Sequence, residues 1–376
     1  MKPIHLITIG YAKQALQKGS REHVRMLMYA REIDSFHIIV FTRKKEGFSE
    51  VVTDGNLSVH PTHSCTRVHA LFDAYKIARA ICRVHREKTF IVSAQDPLEI
   101  GVLSWLLSLQ KNVRLHIQVH GDYFGKGWLG HSMIRRLKRF FARTLLRRAP
   151  AVRVVSQRIK DSLIAQGVPP DRITVLPIRP ELETFLAVSK EERNDGVCRY
   201  LFVGRLAPEK NVARIIKAFE KVYIKNKHVH LTIVGSGMEE TMLKALAKSL
   251  GIDHAVTWIP WTQNVAEIMR TSDVLVLASK HEAYGLVLLE AMAVGLTLVT
   301  TDVGCVGEVV EDGVHGVVVR DEGVVPFADA MYAISGDVEM RKRFGIQGKV
   351  TAKHIAQMSA SSYVDAWVSA LAQSLD

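Results

Sequence analysis

Two glutamates eight positions apart, Glu282 and Glu290, lie in a stretch otherwise poor in acidic residues, Ala278-Ser279-Lys280-His281-Glu282-Ala283-Tyr284-Gly285 followed by Leu286-Val287-Leu288-Leu289-Glu290-Ala291-Met292-Ala293. A carboxylate among so many apolar side chains is costly unless hydrogen-bond donors reach it. The hydroxyls of a sugar or a ribose are such donors; a backbone N–H or an arginine would satisfy a purely structural glutamate equally well. Upstream, Arg205 and Lys210 share the segment Gly204-Arg205-Leu206-Ala207-Pro208-Glu209-Lys210-Asn211. Two cations in one loop suit a diphosphate, since each charge-assisted hydrogen bond to it is worth ~1.5–3 kcal/mol. Solvated surface charge is the competing explanation. Gly235-Ser236-Gly237 is a turn that can let a nucleotide approach, although one GxG carries little weight. In the first half, His120 ends the run Gln118-Val119-His120 and is followed by Gly121-Asp122. Its imidazole can hydrogen-bond a sugar hydroxyl, and Asp122 can orient an acceptor hydroxyl or simply cap a turn. Gly19 stands just before a helix, where a glycine lets backbone come close to a phosphate; an ordinary turn capped by Ser20 explains the same residues.

These residues need elements to hold them. Asp273–Leu277 reads as a buried strand and Leu286–Ala293 as a buried helix stopped by Gly295. Ser279–Gly285 is then a loop at the carboxyl end of a strand, opening into a helix N-terminus. Ligands of open α/β sheets bind at such ends, and unpaired first-turn N–H groups favour an anion there. Apolar runs at Ile4–Ile9, Phe36–Phe41, Phe90–Ser93, Val113–Val119, Val152–Val155 and Ile173–Leu176 predict strands in the first half. Tyr200–Val203, Val229–Val234, Val256–Ile259, Val274–Leu277, Leu296–Thr300 and Gly316–Val319 predict them in the second. Helical patterns between them predict an α/β chain of two doubly wound parallel sheets, with a cleft between their carboxyl edges. The expected division is 1–185, 197–350 and a helical tail 351–376 that packs back towards the first domain. Polar Ser189–Gly196 is read as the end of the linker. Within the tail, Ile355–Leu375 reads as a helix with Met358, Tyr363, Trp367 and Leu371 to one side.

Of 376 residues, 48% are hydrophobic and 23% charged, the balance of a soluble globular enzyme. No apolar run approaches the ~18–20 residues of a membrane span, and Met1–Gly10 reads as a first strand rather than a signal peptide. Cys65, Cys82, Cys198 and Cys305 are too scattered for a disulfide framework or a zinc site, so a reducing cytoplasm is the default. Charge is uneven: residues 1–190 hold 31 Lys/Arg against 15 Asp/Glu, a net +16, and residues 191–376 hold 19 against 23, a net −4. The first half is therefore expected to meet something anionic. Its most basic segment, residues 131–148, sets seven cations around Ile134, Leu137, Phe141 and Leu145 at helical spacing. Such a helix can lie on an anionic bilayer, or its apolar stripe can pack on the sheet. The high isoelectric point also raises a nucleic-acid binder, which no aromatic-rich basic motif or recognition helix supports.

Taken together, Gly204-Arg205-Leu206 with Pro208-Glu209-Lys210-Asn211, then Gly235-Ser236-Gly237, then Glu282 to Glu290, then Gly313-Val314-His315-Gly316 resemble the retaining glycosyltransferases of the GT-B fold, most closely family four. Gly19 and His120-Gly121-Asp122 match as well. The resemblance implies two Rossmann-like domains and transfer of a hexose or N-acetylhexosamine from a UDP- or GDP-sugar, with anomeric configuration kept, to a lipid-linked or glycan acceptor. Arg205 and Lys210 would hold the diphosphate, and Gly19 and Gly235 would let backbone approach the nucleotide. Glu282 would hold the donor sugar together with the N–H groups of Tyr284, Gly285 and Leu286, Glu290 would accept from the ribose, and His120 would contact the sugar near the reacting centre. No metal, no cofactor and no enzymic nucleophile is expected. Work at the inner face of the cytoplasmic membrane is expected, in cell-envelope polysaccharide or glycolipid synthesis. A nucleotide-sugar epimerase of the same architecture is the alternative, disfavoured by the E-x7-E spacing. The family's usual Asn-Gly-Val/Ile-Asp junction is replaced by Ile178-Arg179-Pro180-Glu181, and its glycine after the third strand of the second domain is replaced in Trp258-Ile259-Pro260-Trp261.

Overall fold

The computed structural model describes residues 3–375 apart from 126–132, 192 and 194, and leaves out the side chain of Arg135. Two compact units emerge, Met1–Pro177 joined by Ser359–Asp376, and Ile178–Met358.

In the first unit the chain alternates β1 (His5–Gly10), α1 (Arg21–Arg31), β2 (Ser35–Val40), β3 (Val52–Asp54), β4 (Leu57–Pro61), α2 (Arg67–Val84), β5 (Phe90–Ala94), α3 (Glu99–Ser108), β6 (Val113–Val119), α4 (Met133–Arg148), β7 (Ala151–Val154), α5 (Gln157–Ala165) and β8 (Ile173–Val175). The sheet runs β3-β4-β2-β1-β5-β6-β7-β8 and is parallel except for the antiparallel β3–β4 pair. Every residue of β1 and β5 is buried, which is what a central strand covered on both faces demands. On α2, Ala70, Ala74, Ala78 and Cys82 repeat every fourth position, so the helix lies close against Ile7, Ile9, Ile39 and Val92. β3 and β4 escape the sequence reading. They are short, and β4 alternates Ser58 and His60 with buried Leu57 and Val59, so no continuous apolar run marks them.

The second unit holds α6 (Glu183–Leu186), β9 (Cys198–Val203), α7 (Val212–Lys225), β10 (Val229–Val234), α8 (Glu240–Ser249), β11 (Val256–Ile259), α9 (Val265–Arg270), β12 (Val274–Leu277), α10 (Leu286–Val294), β13 (Thr297–Thr301), β14 (Gly316–Val319), α11 (Val324–Gly336) and α12 (Val338–Ala356). Its sheet is wholly parallel, in the order β11-β10-β9-β12-β13-β14. Strand order reverses direction at β9, so the carboxyl ends of β9 and β12 flank the switch point where such sheets bind ligands.

The units divide at Pro177–Ile178 rather than in the polar stretch 189–196. That stretch belongs to the second unit instead: Arg270 bonds Glu191 at 2.9 Å and Lys190 meets Asp273 at 3.3 Å. Position 351 falls inside α12, and that helix ends at Ala356 before α13 (Ala360–Ala372) begins. Ser359 caps α13 by accepting the Ser362 N–H at 3.0 Å. Tyr363, Trp367 and Leu371 then bury themselves against Phe36, Leu6 and Ile38 of the first unit, with Trp367 4.7 Å from Tyr29 between ring centres. Met358, expected on that same side, is exposed, because the break ends the helical register it was assigned to.

Candidate functional site

The loops after β9 and β12 are stitched together by main chain. The Lys280 N–H donates to the Glu209 carbonyl at 2.8 Å, and Lys210 N–H closes a turn on Ala207 at 2.9 Å. Asn211 takes up a left-handed conformation (φ +50°) before α7, one that asparagine tolerates better than most residues. From this loop Lys210 reaches across to Glu282, Nζ to Oε1 2.5 Å, with only 17% and 11% of the two side chains exposed. The buried Ser279 hydroxyl donates to the same Oε1 at 2.7 Å. Thr301 holds that corner from β13, its hydroxyl donating to the Ser279 carbonyl at 2.7 Å. Arg205 is placed differently. Its guanidinium is 77% exposed and meets Glu209 at 3.0 Å, a surface pair that costs little to break.

Gly285 sits in the left-handed region (φ +84°) immediately before α10, and Leu286 opens that helix. Tyr284 is buried and its carbonyl accepts the Cys305 N–H at 2.8 Å. Glu290 lies one helical turn from the end of α10, among buried Leu288, Leu289, Ala291 and Met292. Burial raises its carboxyl to about 7. Among the described residues no side chain or N–H donates to it, so the purely structural explanation of this glutamate lacks its partner.

Gly235 (φ +141°) lies where any Cβ would collide with the Gly204 carbonyl, and a Cβ on Gly237 would strike Leu206. Leu206 N–H also bonds the Ser236 carbonyl at 3.1 Å. The turn is therefore a tight brace against the Gly204–Leu206 backbone. Beside it Trp261 is 71% exposed, its main-chain N–H donating to Ser236 Oγ at 3.3 Å.

In the first unit, His120 follows β6 with its Nε2 buried and unpartnered among the described residues. Burial, aided by the Arg153 charge, lowers this imidazole to about 4, so it is neutral at pH 7. Asp122 closes a turn, accepting from Gly125 N–H at 2.8 Å, Phe124 N–H at 3.2 Å and the Ser162 hydroxyl at 3.1 Å. The turn explanation of Asp122 is the one its contacts match. Gly19 (φ +81°) has open space where a Cβ would stand, so conformation rather than crowding calls for glycine. Ser20 caps α1 by accepting the His23 N–H at 3.1 Å.

Two family models meet on this chain: the glycosyl transferase 4-like domain over residues 18–179, and glycosyl transferases group 1 over residues 187–351. The chain belongs to the group 1 glycosyl transferases. Among curated relatives, N-acetyl-alpha-D-glucosaminyl L-malate synthase of Bacillus anthracis is 34% identical over 36% of this chain and 35% of its own length. D-inositol 3-phosphate glycosyltransferase of Nocardia farcinica is 30% identical over 48% of this chain and 44% of its own. The chain thus matches less than half the length of either. Anabaena HepE, solved in complex with UDP, superimposes over 98% of this chain and 100% of its own with a TM-score of 0.72 at 16% identity, which shows the GT-B fold.

Two features of this family member were not read from its sequence. Ser279 bonds Glu282 and is itself held by Thr301, although a serine three positions before a loop glutamate was the available signal. On α4, Ala142, Leu145 and Leu146 are buried, whereas Met133, Ile134, Leu137, Phe140 and Phe141 are exposed. Residues 131 and 132 of the basic segment lie outside the described residues. α3 packs beside α4, with Gly101 against Leu145 and Lys138 bonded to Glu99 at 2.5 Å, and adds exposed Val102, Trp105 and Leu106. Among the described residues no helix is long and apolar enough to cross a membrane.

Proposed function

We propose that the chain is a metal-independent retaining glycosyltransferase. It would move a hexose or N-acetylhexosamine from a UDP- or GDP-sugar to a hydroxyl of a lipid-linked or glycan acceptor. The observation that carries this reading is the half-buried Glu290 carboxyl, which has no donor among the described residues, on the helix that begins beside Lys210 and Glu282. A ribose supplies two hydroxyl donors at one end of a diphosphate, and a sugar supplies more at the other. UDP in the structure of Anabaena HepE is consistent with this choice of ligand.

On this reading Arg205, Lys210 and the start of α10 hold the diphosphate, and Glu282 accepts from the donor sugar. The Trp261 face can stack on a nucleobase, a contact worth ~1–3 kcal/mol. Neutral His120 would hydrogen-bond a sugar hydroxyl. As the bond from the anomeric carbon to phosphate breaks, negative charge grows on the leaving diphosphate, and the two cations stabilise it more strongly then than in the ground state. The acceptor oxygen bonds the anomeric carbon on the face the phosphate leaves, and its proton passes to the departing phosphate oxygen. No enzymic nucleophile is required. Anionic lipid would hold the enzyme through α4 and α3, whose exposed apolar residues stand among cations.

The test is turnover. Nucleoside diphosphate released from UDP- or GDP-sugars should depend on an added acceptor, and Glu282→Ala should lower it at least a hundredfold in protein that circular dichroism shows to be folded. Diphosphate released equally fast without acceptor, or full activity in Glu282→Ala, would sink the reading. A thermal-shift screen of nucleotide sugars chooses the donor, since ligand at 100 times its dissociation constant adds ~2.7 kcal/mol.

A further inference from the structure

Both cations assigned to the diphosphate are held by carboxylates at rest, and the two pairs are unequal. Arg205 and Glu209 meet on the surface, with Arg205 77% exposed. Lys210 and Glu282 meet at 2.5 Å with both side chains largely withdrawn from water. Breaking a desolvated pair leaves an uncompensated charge, and that is far more costly than parting a solvated one. Arg205 can therefore turn to a phosphate freely. Lys210 can do so only if something else supplies donors to Glu282. Ser279 supplies one at 2.7 Å, which leaves most of the carboxylate's acceptor positions unfilled.

Resting on the proposed function, we infer that the Lys210–Glu282 pair is an exchange switch that distinguishes the intact sugar nucleotide from the spent diphosphate. When the whole donor enters, Lys210 moves from Glu282 to the diphosphate, and sugar hydroxyls take its place at the carboxylate. Ser279, whose carbonyl Thr301 holds, keeps the carboxylate aimed while the lysine is away. After transfer the sugar has gone and Glu282 has lost those donors. Lys210 then returns to it, the hold on the nucleoside diphosphate weakens, and product leaves. The pair thus couples occupancy of the sugar position to grip on the phosphates.

A double-mutant cycle read by calorimetric binding of UDP and GDP tests this. Glu282→Gln should bind the nucleoside diphosphate about tenfold tighter than the native protein, because Lys210 is no longer claimed. Against a Lys210→Ala background the same change should alter affinity no more than twofold. Equal tightening in both backgrounds would mean that Glu282 acts on the phosphates by its field alone, and the switch is wrong; no tightening in either also overturns it. If Lys210→Ala does not fold, Lys210→Gln, which keeps a donor for Glu282 without the charge, completes the cycle. Native protein that binds neither UDP nor GDP defeats the proposed function itself. Binding without coupling defeats the switch alone.

Discussion

Glu290 is a largely buried carboxylate with no donor among the described residues. A carboxyl raised to about 7 by burial binds a proton more tightly folded than unfolded. Stability from that group is therefore present below the ordinary carboxylate range and is lost as pH rises from about 4.5 through 7. Glu290→Gln should accordingly stabilise the ligand-free protein at pH 8, by roughly 2 kcal/mol, and hardly at pH 5. Denaturant titrations at the two pH values check this, and an equal effect at both would mean the carboxyl is not strained. Hydroxyl donors favour the ionised form, so nucleotide binding near pH 7 should release protons, and Glu290→Gln should abolish the release. Calorimetry in buffers of different ionisation enthalpy reads it directly. The sequence showed a carboxylate in an apolar helix but not its isolation, because whether a donor stands nearby depends on neighbours distant in the chain.

At the scale of the element, α4 and α3 share one question. Helical spacing told which residues of α4 fall together, yet not whether that face is covered. Burial ends at Ala142, Leu145 and Leu146, and the apolar residues of the first turns stay exposed beside Val102 and Trp105 of α3. A surface with Met133, Phe140 and Phe141 among cations is suited to anionic lipid, where each Lys or Arg near the headgroups is worth ~1 kcal/mol. Vesicles with a fifth or more of anionic lipid are expected to retain the protein at low salt and release it at high salt. Changing Arg135, Arg136, Lys138 and Arg139 to Glu should abolish retention, and Trp105→Ala with Phe140→Ala should weaken it at every salt concentration. Unchanged cosedimentation of the charge-reversed variant would remove α4 from any role at a bilayer.

At the scale of the whole molecule, acid should act unevenly. His37 is lowered to about 4, first by burial and then by His60; His116 to about 3 and His120 to about 4, each first by burial and then by Arg153. All three lie in the first unit, and all must gain a proton when the chain unfolds in acid. The stability they represent is complete above pH 6.5 and drains away as pH falls towards 4. The first unit should therefore open first on acidification. Proteolysis at pH 5 would cut within residues 3–177 before it cuts 178–358, and cleavage in the opposite order would refute the assignment.

The sequence alone determined the parallel α/β architecture. Strands buried on both faces must be continuous apolar runs, as Val274–Leu277 and Val229–Val234 are, and this signal is local. It also named the charged loop residues and their family. Three-dimensional folding decided what depends on partners far apart in the chain. It paired Lys210 with Glu282 across seventy-two positions and turned Gly235 into a brace against Gly204. It also broke the final helix so that α13 lies in the first unit's core. Periodicity records which side chains share a face, whereas burial, charge pairing and close backbone approach are properties of what that face meets.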